Sequence, residues 1–169
     1  EFGEYKIRGK LRNLNIMLTT TGISIRGSLP KFYQGHNLKD LSLKEVRLAL
    51  QKIENDLSIK IFEAKLTRID IGFNMEMDYE PKYYFNGLGE ISKMYRGSIN
   101  QTSLYYKNSS KTLNFYDKNK EAYKTSRIGN RFELSKNLLR YELRLEKWLN
   151  RNFDGRDILV SDLIDSNFC

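Results

Sequence analysis

Cysteine, histidine, proline and tryptophan are scarce in this chain, with 1 Cys, 1 His, 2 Pro and 1 Trp among 169 residues. The only cysteine, Cys169, is the last residue, so an internal disulfide and a cysteine metal site are excluded. A lone histidine, His36, cannot build a histidine-based metal cluster, and in its glycine-flanked loop it reads as structural or as a phosphate contact. No G-x-S-x-G elbow, reactive cysteine or phosphate-binding P-loop is present, which removes the common nucleophilic and nucleotide-hydrolysing designs. No apolar run approaches the ~20 residues of a membrane span. The N-terminus has no signal-peptide core, and the chain opens on Glu1-Phe2-Gly3 without a methionine. We expect a cytoplasmic protein, in keeping with the unpaired thiol. No linker, internal repeat or low-complexity stretch appears, so residues 1–169 are expected to form a single domain, which can be a fragment of a longer protein.

Positive charge is present in excess. Lys and Arg number 29 against 21 Asp and Glu, a net charge of +8. Such a balance favours a polyanionic partner: DNA, RNA or an anionic membrane. A merely soluble basic domain has the same composition. No basic amphipathic helix with a broad aromatic face stands out, so no membrane partner is expected. A hydrophobic fraction of 40% marks a folded chain.

The patterns alternate between strand and helix. Residues 11–18 and 23–26 form a hairpin around Thr20-Thr21-Gly22, followed by a Gly- and Pro-containing loop, GSLPKFYQGHN (27–37). Ser42 with Glu45 makes a capping box, and Val46, Ala49, Leu50, Ile53 and Leu57 mark one face of a helix over 43–57. That helix should cover one side of a sheet. The strongest strand spans 62–75, with Ile69, Ile71, Phe73 and Met75 on a core face and Arg68, Asp70, Gly72 and Asn74 on a polar one. A short helix is expected after Pro81, and a loop around Gly87 to Gly97. SLYYK (103–107) and TLNFYDK (112–118) form a second hairpin in which Tyr105 lies opposite Asn114 and Tyr106 opposite Leu113. Tyr105 then shares a face with Tyr116 and Lys118. The last strand, 138–147, alternates Leu139, Tyr141, Leu143 and Leu145 with Arg140, Glu142, Arg144 and Glu146. A short terminal helix is expected near 157–168. The fold class is α+β, an antiparallel sheet with helices packed on one face and the other face open and polar.

The chemistry should lie on that open face. Asp is depleted in strands, so Asp70 at mid-strand is either a surface ion-pair partner of Arg68 or a ligand. Glu142, flanked by Arg140 and Arg144, has the same two readings. Were their strands adjacent, the two carboxylates would make a hard-oxygen site for Mg²⁺ or Mn²⁺, with Glu121 as a third ligand or a plain exposed helix residue. Tyrosine is common in strands, and packing is the ordinary role for any one of the 11 here. A phenol is nonetheless a competent phosphoryl acceptor when a cation such as Lys118 stabilises its anion.

GSLPKFYQGHN, RIDIGFN, SLYY…LNFYDKNKE and LLRYELRLEK, taken in this order over residues 10–150, resemble the phage and plasmid replication initiators. These comprise the filamentous-phage replication-protein group and the related rolling-circle plasmid initiators. The resemblance implies a fold related to the rolling-circle replication nickase, HUH-like and ferredoxin-like. It also implies an endonuclease whose tyrosine attacks the scissile phosphate, leaving a 5′-phosphotyrosine link and a free 3′-hydroxyl. Asp70, Glu142 and Glu121 then match the acidic metal positions, Lys118 the lysine, and Tyr105 the nucleophile. The plasmid group has a glycine soon after that tyrosine, whereas Tyr106-Lys107-Asn108 follows here, which keeps Tyr106 as the alternative nucleophile. Lys31, Arg68, Arg140 and Arg144 are candidate DNA contacts. The partners implied are single-stranded or supercoiled origin DNA and a host helicase or polymerase. Two rival readings stand beside this one: a non-catalytic single-strand-binding module that stacks bases on Tyr105, Tyr106 and Tyr116, and a metal nuclease that uses water.

Overall fold

Alternating residues build the first sheet. In a computed structural model, which describes residues 5–99, 102–125, 137–145 and 149–165, strands β1 (Lys6–Leu11), β2 (Leu14–Thr19) and β3 (Gly22–Arg26) pair antiparallel in that order. The expected β2–β3 hairpin is present, with Thr19 paired to Gly22 across the turn. Strand β1 is an addition, because its alternation sets Lys6, Arg8 and Lys10 against little that is apolar. The turn into β2 is tied down by side chains. Arg12, at φ +52°, donates to the Phe32 carbonyl at 2.9 Å, and the Asn13 amide donates to the Ser28 carbonyl at 2.8 Å.

The stretch expected as a loop contains a helix, α1 (Leu29–Gln34). The residues that suggest a loop are its start and stop signals. Ser28 caps the Lys31 amide, Pro30 sits in the first turn, and Gly35 closes the helix at φ +83°. Phe32 is fully buried and anchors it.

Helix α2 (Leu43–Leu57) follows the sequence expectation closely. Its capping box is complete, with Ser42 N donating to Glu45 Oε2 at 2.8 Å and Glu45 N donating to Ser42 Oγ at 3.3 Å. Ala49, Leu50 and Ile53 are buried, and each large one contributes about 1.5–3 kcal/mol. The principal neighbours of α2 within its unit are α1 and the 3₁₀ turn Ile61–Glu63, not the expected sheet. The reason is α1, which supplies an apolar surface that a loop would not.

The chain gathers into two compact units, Glu1–Glu63 with Leu163–Cys169 and Ala64–Asp162. The second unit is a five-stranded antiparallel sheet. It comprises β4 (Ile69–Met77), β5 (Tyr95–Ile99), β6 (Ser103–Lys107), β7 (Lys111–Asp117) and β8 (Asn137–Leu145), in the order β4-β8-β7-β6-β5. The last strand in sequence therefore lies inside the sheet. Strand β4 begins later than expected, because residues 64–66 pair with the segment near Leu159 at the edge. There Leu66 N donates to Ile158 O at 2.7 Å and Val160 N to Ala64 O at 2.9 Å. In the β6–β7 turn, Asn108 Oδ1 accepts the amides of Ser110 and Lys111, each at 3.0 Å, a local bond that sets the register.

Helix α3 (Pro81–Phe85) forms after Pro81 as expected and covers part of the apolar face. Phe85, Leu104, Tyr106 and Leu139 form the core there, with Met75, Met77, Leu113 and Phe115 packed against them. The expected core face of β4 is only partly covered. Ile71 and Phe73 are 54% and 56% exposed, because β4 is an edge strand and the α3 cluster reaches only its Met75–Met77 end. Helix α4 (Lys118–Thr125) continues directly from β7, with the Asp117 carboxylate accepting the Lys120 amide at 3.0 Å. Of the expected terminal helix, the described residues contain the 3₁₀ turn Val160–Ile164; its end and Glu146 lie outside them. No helix among the described residues is long and apolar enough to cross a membrane.

Ser42→Ala removes one half of the capping box and is expected to cost about 1 kcal/mol. A urea titration followed by far-UV circular dichroism should show the lowered midpoint, whereas Leu48→Ala, on the exposed side of α2, should leave it unchanged.

Candidate active site

Strand register assembles the polar face of the five-stranded sheet in cross-strand rows. In the first row Asp70 faces Arg144, which faces Thr112. The second runs Gly72, Glu142, Asn114, Tyr105, Gly97. The third runs Asn74, Arg140, Tyr116, Ser103. The β6–β7 register is the one expected from the hairpin, so Tyr105 and Tyr106 lie on opposite faces. The strands of Asp70 and Glu142 are neighbours.

One arginine joins the two carboxylates. Arg144 Nε donates to Asp70 Oδ2 at 3.2 Å, and Arg144 Nη2 donates to Glu142 Oε1 at 2.9 Å. Asp70 also receives Arg68 in a two-pronged pair, at 2.7 and 2.6 Å. Partial burial raises the Asp70 pKa, but the hydrogen bonds and charge of Arg68, then of Arg144, outweigh it and hold the carboxyl below its ordinary value. Arg140 is 9% exposed, donates to Asn74 Oδ1 at 3.1 Å and lies 3.6 Å from Glu142. Its guanidinium lies over Gly72, in the space a Cβ there would fill, so this glycine is needed for the arginine.

Tyr116 extends the network along β7. Its hydroxyl donates to Glu142 Oε2 at 3.2 Å. Burial, and next the negative charge of Glu142, push its pKa well above the ordinary phenol value. Tyr116 therefore keeps its proton and serves as a donor. Lys118, fully buried where β7 runs into α4, is ion-paired with Glu121 and stands 6.0 Å from the Tyr116 ring centre. A buried ammonium is tolerable only with such a partner.

Tyr105 stands on the same face, two strands from Glu142 with Asn114 between, a backbone separation of about 10 Å. Its ring leans the other way, over Gly97, and meets Tyr95 at 6.1 Å between ring centres and 50° between planes. Tyr95 is 68% exposed. Tyr106 is 1% exposed on the core side, with its hydroxyl donating to the carbonyls of Gly89 at 2.6 Å and Leu88 at 3.2 Å. Lys31 belongs to α1, in the other unit.

The structure thus brings together Asp70, Arg68, Arg144, Glu142 and Arg140, and links them through Tyr116 to Lys118 and Glu121. It places Tyr105 on the same face as that group and Tyr106 on the opposite, buried face. Asp70 and Glu142 share one guanidinium, and carboxylate oxygens are hard donors of the type that suits Mg²⁺ or Mn²⁺. Glu121 is held by Lys118, and among the described residues no three His, Cys, Asp or Glu side chains converge as a metal cluster. Sequence reasoning does not find Tyr95, because the segment around it reads as loop. It does not assign Gly97 either, whose role depends on a neighbouring strand.

Two antiparallel sheets with few helices make an α+β fold, and the five-stranded sheet gathers carboxylates, arginines and tyrosines on one polar face of a basic protein. The chain belongs to the Phage_CRI family, the N-terminal region of a phage replication-associated protein, whose model matches residues 5–162. Its role is in phage replication initiation. No curated protein and no solved structure matches the chain.

The Asp70 pairing has a consequence in acid. With a depressed pKa in the folded state, Asp70 contributes stability that is complete above the ordinary carboxylate pKa of ~4 and is lost as pH falls through the lower folded value. Asp70→Asn should lower stability at neutral pH by about 1 kcal/mol or less and flatten the acid limb. Urea denaturation repeated from neutral pH down through the carboxylate range checks both effects.

Proposed function

We propose that this protein nicks one strand of origin DNA through Tyr105 and stays covalently attached to the 5′ end. The observation that carries the reading is the sharing of Arg144 by Asp70 and Glu142 on the face that also bears Tyr105. The Tyr105 oxygen bonds to the scissile phosphorus as the bond from phosphorus to the 3′ oxygen breaks. The phenol gives up its proton and the leaving 3′ oxygen gains one, so the products are a 5′-phosphotyrosine and a free 3′-hydroxyl. A phosphate lying over Asn114 would stand between the β6 position of Tyr105 and the carboxylate pair, and the Tyr105 ring would turn from Gly97 toward it to attack. Asp70 and Glu142 are the residues that would hold Mg²⁺ or Mn²⁺, whose chemistry is to withdraw charge from the phosphate and stabilise the leaving oxygen.

The remaining residues divide into supports and contacts. Lys118 with Glu121 fixes Tyr116, and Tyr116 orients Glu142. Arg140 does the same from the other side, since it is buried against Gly72 and Asn74. Arg68 and Arg144, about one third exposed, retain the surface to meet the DNA backbone. The ring pair of exposed Tyr95 and half-buried Tyr105 favours a second reading, in which the face binds an unpaired strand by stacking and does no chemistry.

Incubation with labelled supercoiled or single-stranded origin DNA and Mn²⁺ separates these readings. Wild type is expected to form a denaturation-resistant protein–DNA adduct, Tyr105→Phe none, and Glu142→Gln roughly 10²-fold less or lower still. Cleavage without an adduct would turn the reading to water as the nucleophile, and binding with no cleavage under any divalent metal would turn it to the stacking module.

Gly97→Ala supplies an independent check on Tyr105. The new Cβ would fall where the Tyr105 ring now lies and would push the ring aside. Adduct formation should change while the unfolding midpoint moves by less than ~1 kcal/mol, since Gly97 is in the edge strand.

A further inference from the structure

The three-stranded sheet of the first unit has a strongly charged face of its own. From Tyr5 to Lys39 the chain carries seven cations (Lys6, Arg8, Lys10, Arg12, Arg26, Lys31 and Lys39) and no Asp or Glu. Strand parity sorts them. Lys10, Asn15 and Arg26 form one cross-strand row, Arg8, Met17 and Ser24 the next, and Lys6, Thr19 and Gly22 the third. Lys6, Arg8, Lys10 and Arg26 are therefore on one face, all exposed, and none forms an ion pair with another described residue. The opposite face carries the row Ile7, Leu18, Ile23. A shallow, open groove runs over this face, lined by Arg8, Lys10, Asn15, Met17, Ser24 and Arg26 together with Gly9 and Ile16.

We propose that this face is a second DNA site, which grips the phosphate backbone of duplex DNA. Charge selects the class of partner. Four solvent-facing cations with no acid among them repel one another, and a polyanion relieves that repulsion while releasing its own counterions. The side chains then distinguish duplex from unpaired strand. The groove has no aromatic ring, so it offers phosphate contacts, with Asn15 and Ser24 as neutral donors, but no platform for stacked bases. Exposed Tyr95, by contrast, lies on the sheet that carries Tyr105, and exposed Tyr5, next to β1, has the parity of Ile7 and not of the cations. Alternate residues of β1 are about 6.7 Å apart, so Lys6, Arg8 and Lys10 make a cationic line about 13 Å long.

A guarded sheet edge and a membrane-binding face both fit less well. Edge strands carry lysines as guards against pairing with other sheets, and β1 is such an edge. A guard needs one charge, whereas here Arg26 on the opposite edge continues the same face. An anionic membrane would call for apolar and cationic groups on the same side, and here they are on opposite sides.

The test replaces Lys6, Arg8, Lys10 and Arg26 together by glutamine and measures binding to a short duplex of arbitrary sequence by fluorescence anisotropy over about 50–200 mM salt. All four side chains are exposed, so the urea midpoint should be kept, and a charge-preserving Arg8→Lys, Arg26→Lys variant should bind as wild type does. The fourfold variant should lose about tenfold or more in affinity at low salt, and the slope of log K against log salt should become shallower by about 3.6. It should still form the covalent adduct on a short single-stranded oligonucleotide.

Unchanged duplex affinity and slope would overturn the proposal and leave the lysines as edge guards. Equal losses on duplex and single strand would overturn it by removing the distinction it rests on. Loss of binding to phosphatidylserine vesicles with duplex binding intact would assign the face to a membrane instead. The proposal takes its polyanion from the nicking reading, but the two fail separately. A wild type that makes no adduct ends that reading, whereas the duplex titration alone decides this one.

Discussion

Asp70 and Glu142 stand on adjacent strands of an open sheet face, where two carboxylates would repel each other without a cation between them. Arg144 fills that place and bonds both. The arrangement depends on one feature of the backbone: β8, the last strand in sequence, has β4 on one side and β7 on the other. Its two ladders fix Asp70 against Arg144 and Glu142 against Asn114. Separate β4 from β8 and the carboxylates part; separate β8 from β7 and Glu142 loses Tyr116. The polar face is a set of charges whose mutual distances are set by hydrogen-bonded register and not by their own attraction.

Small residues make room for this network. Gly72 lets the Arg140 guanidinium lie flat on the sheet between Asn74 and Glu142, and Gly97 does the same for the Tyr105 ring. Lys118 contributes from the point where β7 becomes α4, fully buried and neutralised by a glutamate one helical turn away. A face built in this way has its charges paired internally. On the proposed function, phosphate would compete for Arg144, and a divalent ion would compete with Arg144 for the two carboxylates.

Where a local rule is strong, the sequence is legible. The Ser42–Glu45 capping box locates the start of α2, because it satisfies backbone groups that a helix start leaves unpaired, and the apolar spacing through Leu57 locates its end. The Asn108 turn and the alternation around it give the β6–β7 register and hence the opposite faces of Tyr105 and Tyr106. Legibility ends where one residue type serves two purposes. Ser28, Pro30 and Gly35 signal a loop or the two ends of a short helix, and only the burial of Phe32 decides for α1. Ile71 and Phe73 belong to a flawless apolar row, but burial of a row depends on what covers it, and α3 covers only the other end.

The sequence by itself determined which residues share a face. Alternation along a strand is a property of the chain's own geometry, and it placed Asp70, Glu142, Tyr105, Tyr116 and Lys118 on polar sides before any pairing was known. Only the tertiary structure decided the order of the strands, because pairing joins segments whose separation along the chain leaves no local trace. That order made Asp70 and Glu142 neighbours through Arg144, set Tyr105 two strands away with Tyr95 beside it, and buried Lys118 against Glu121.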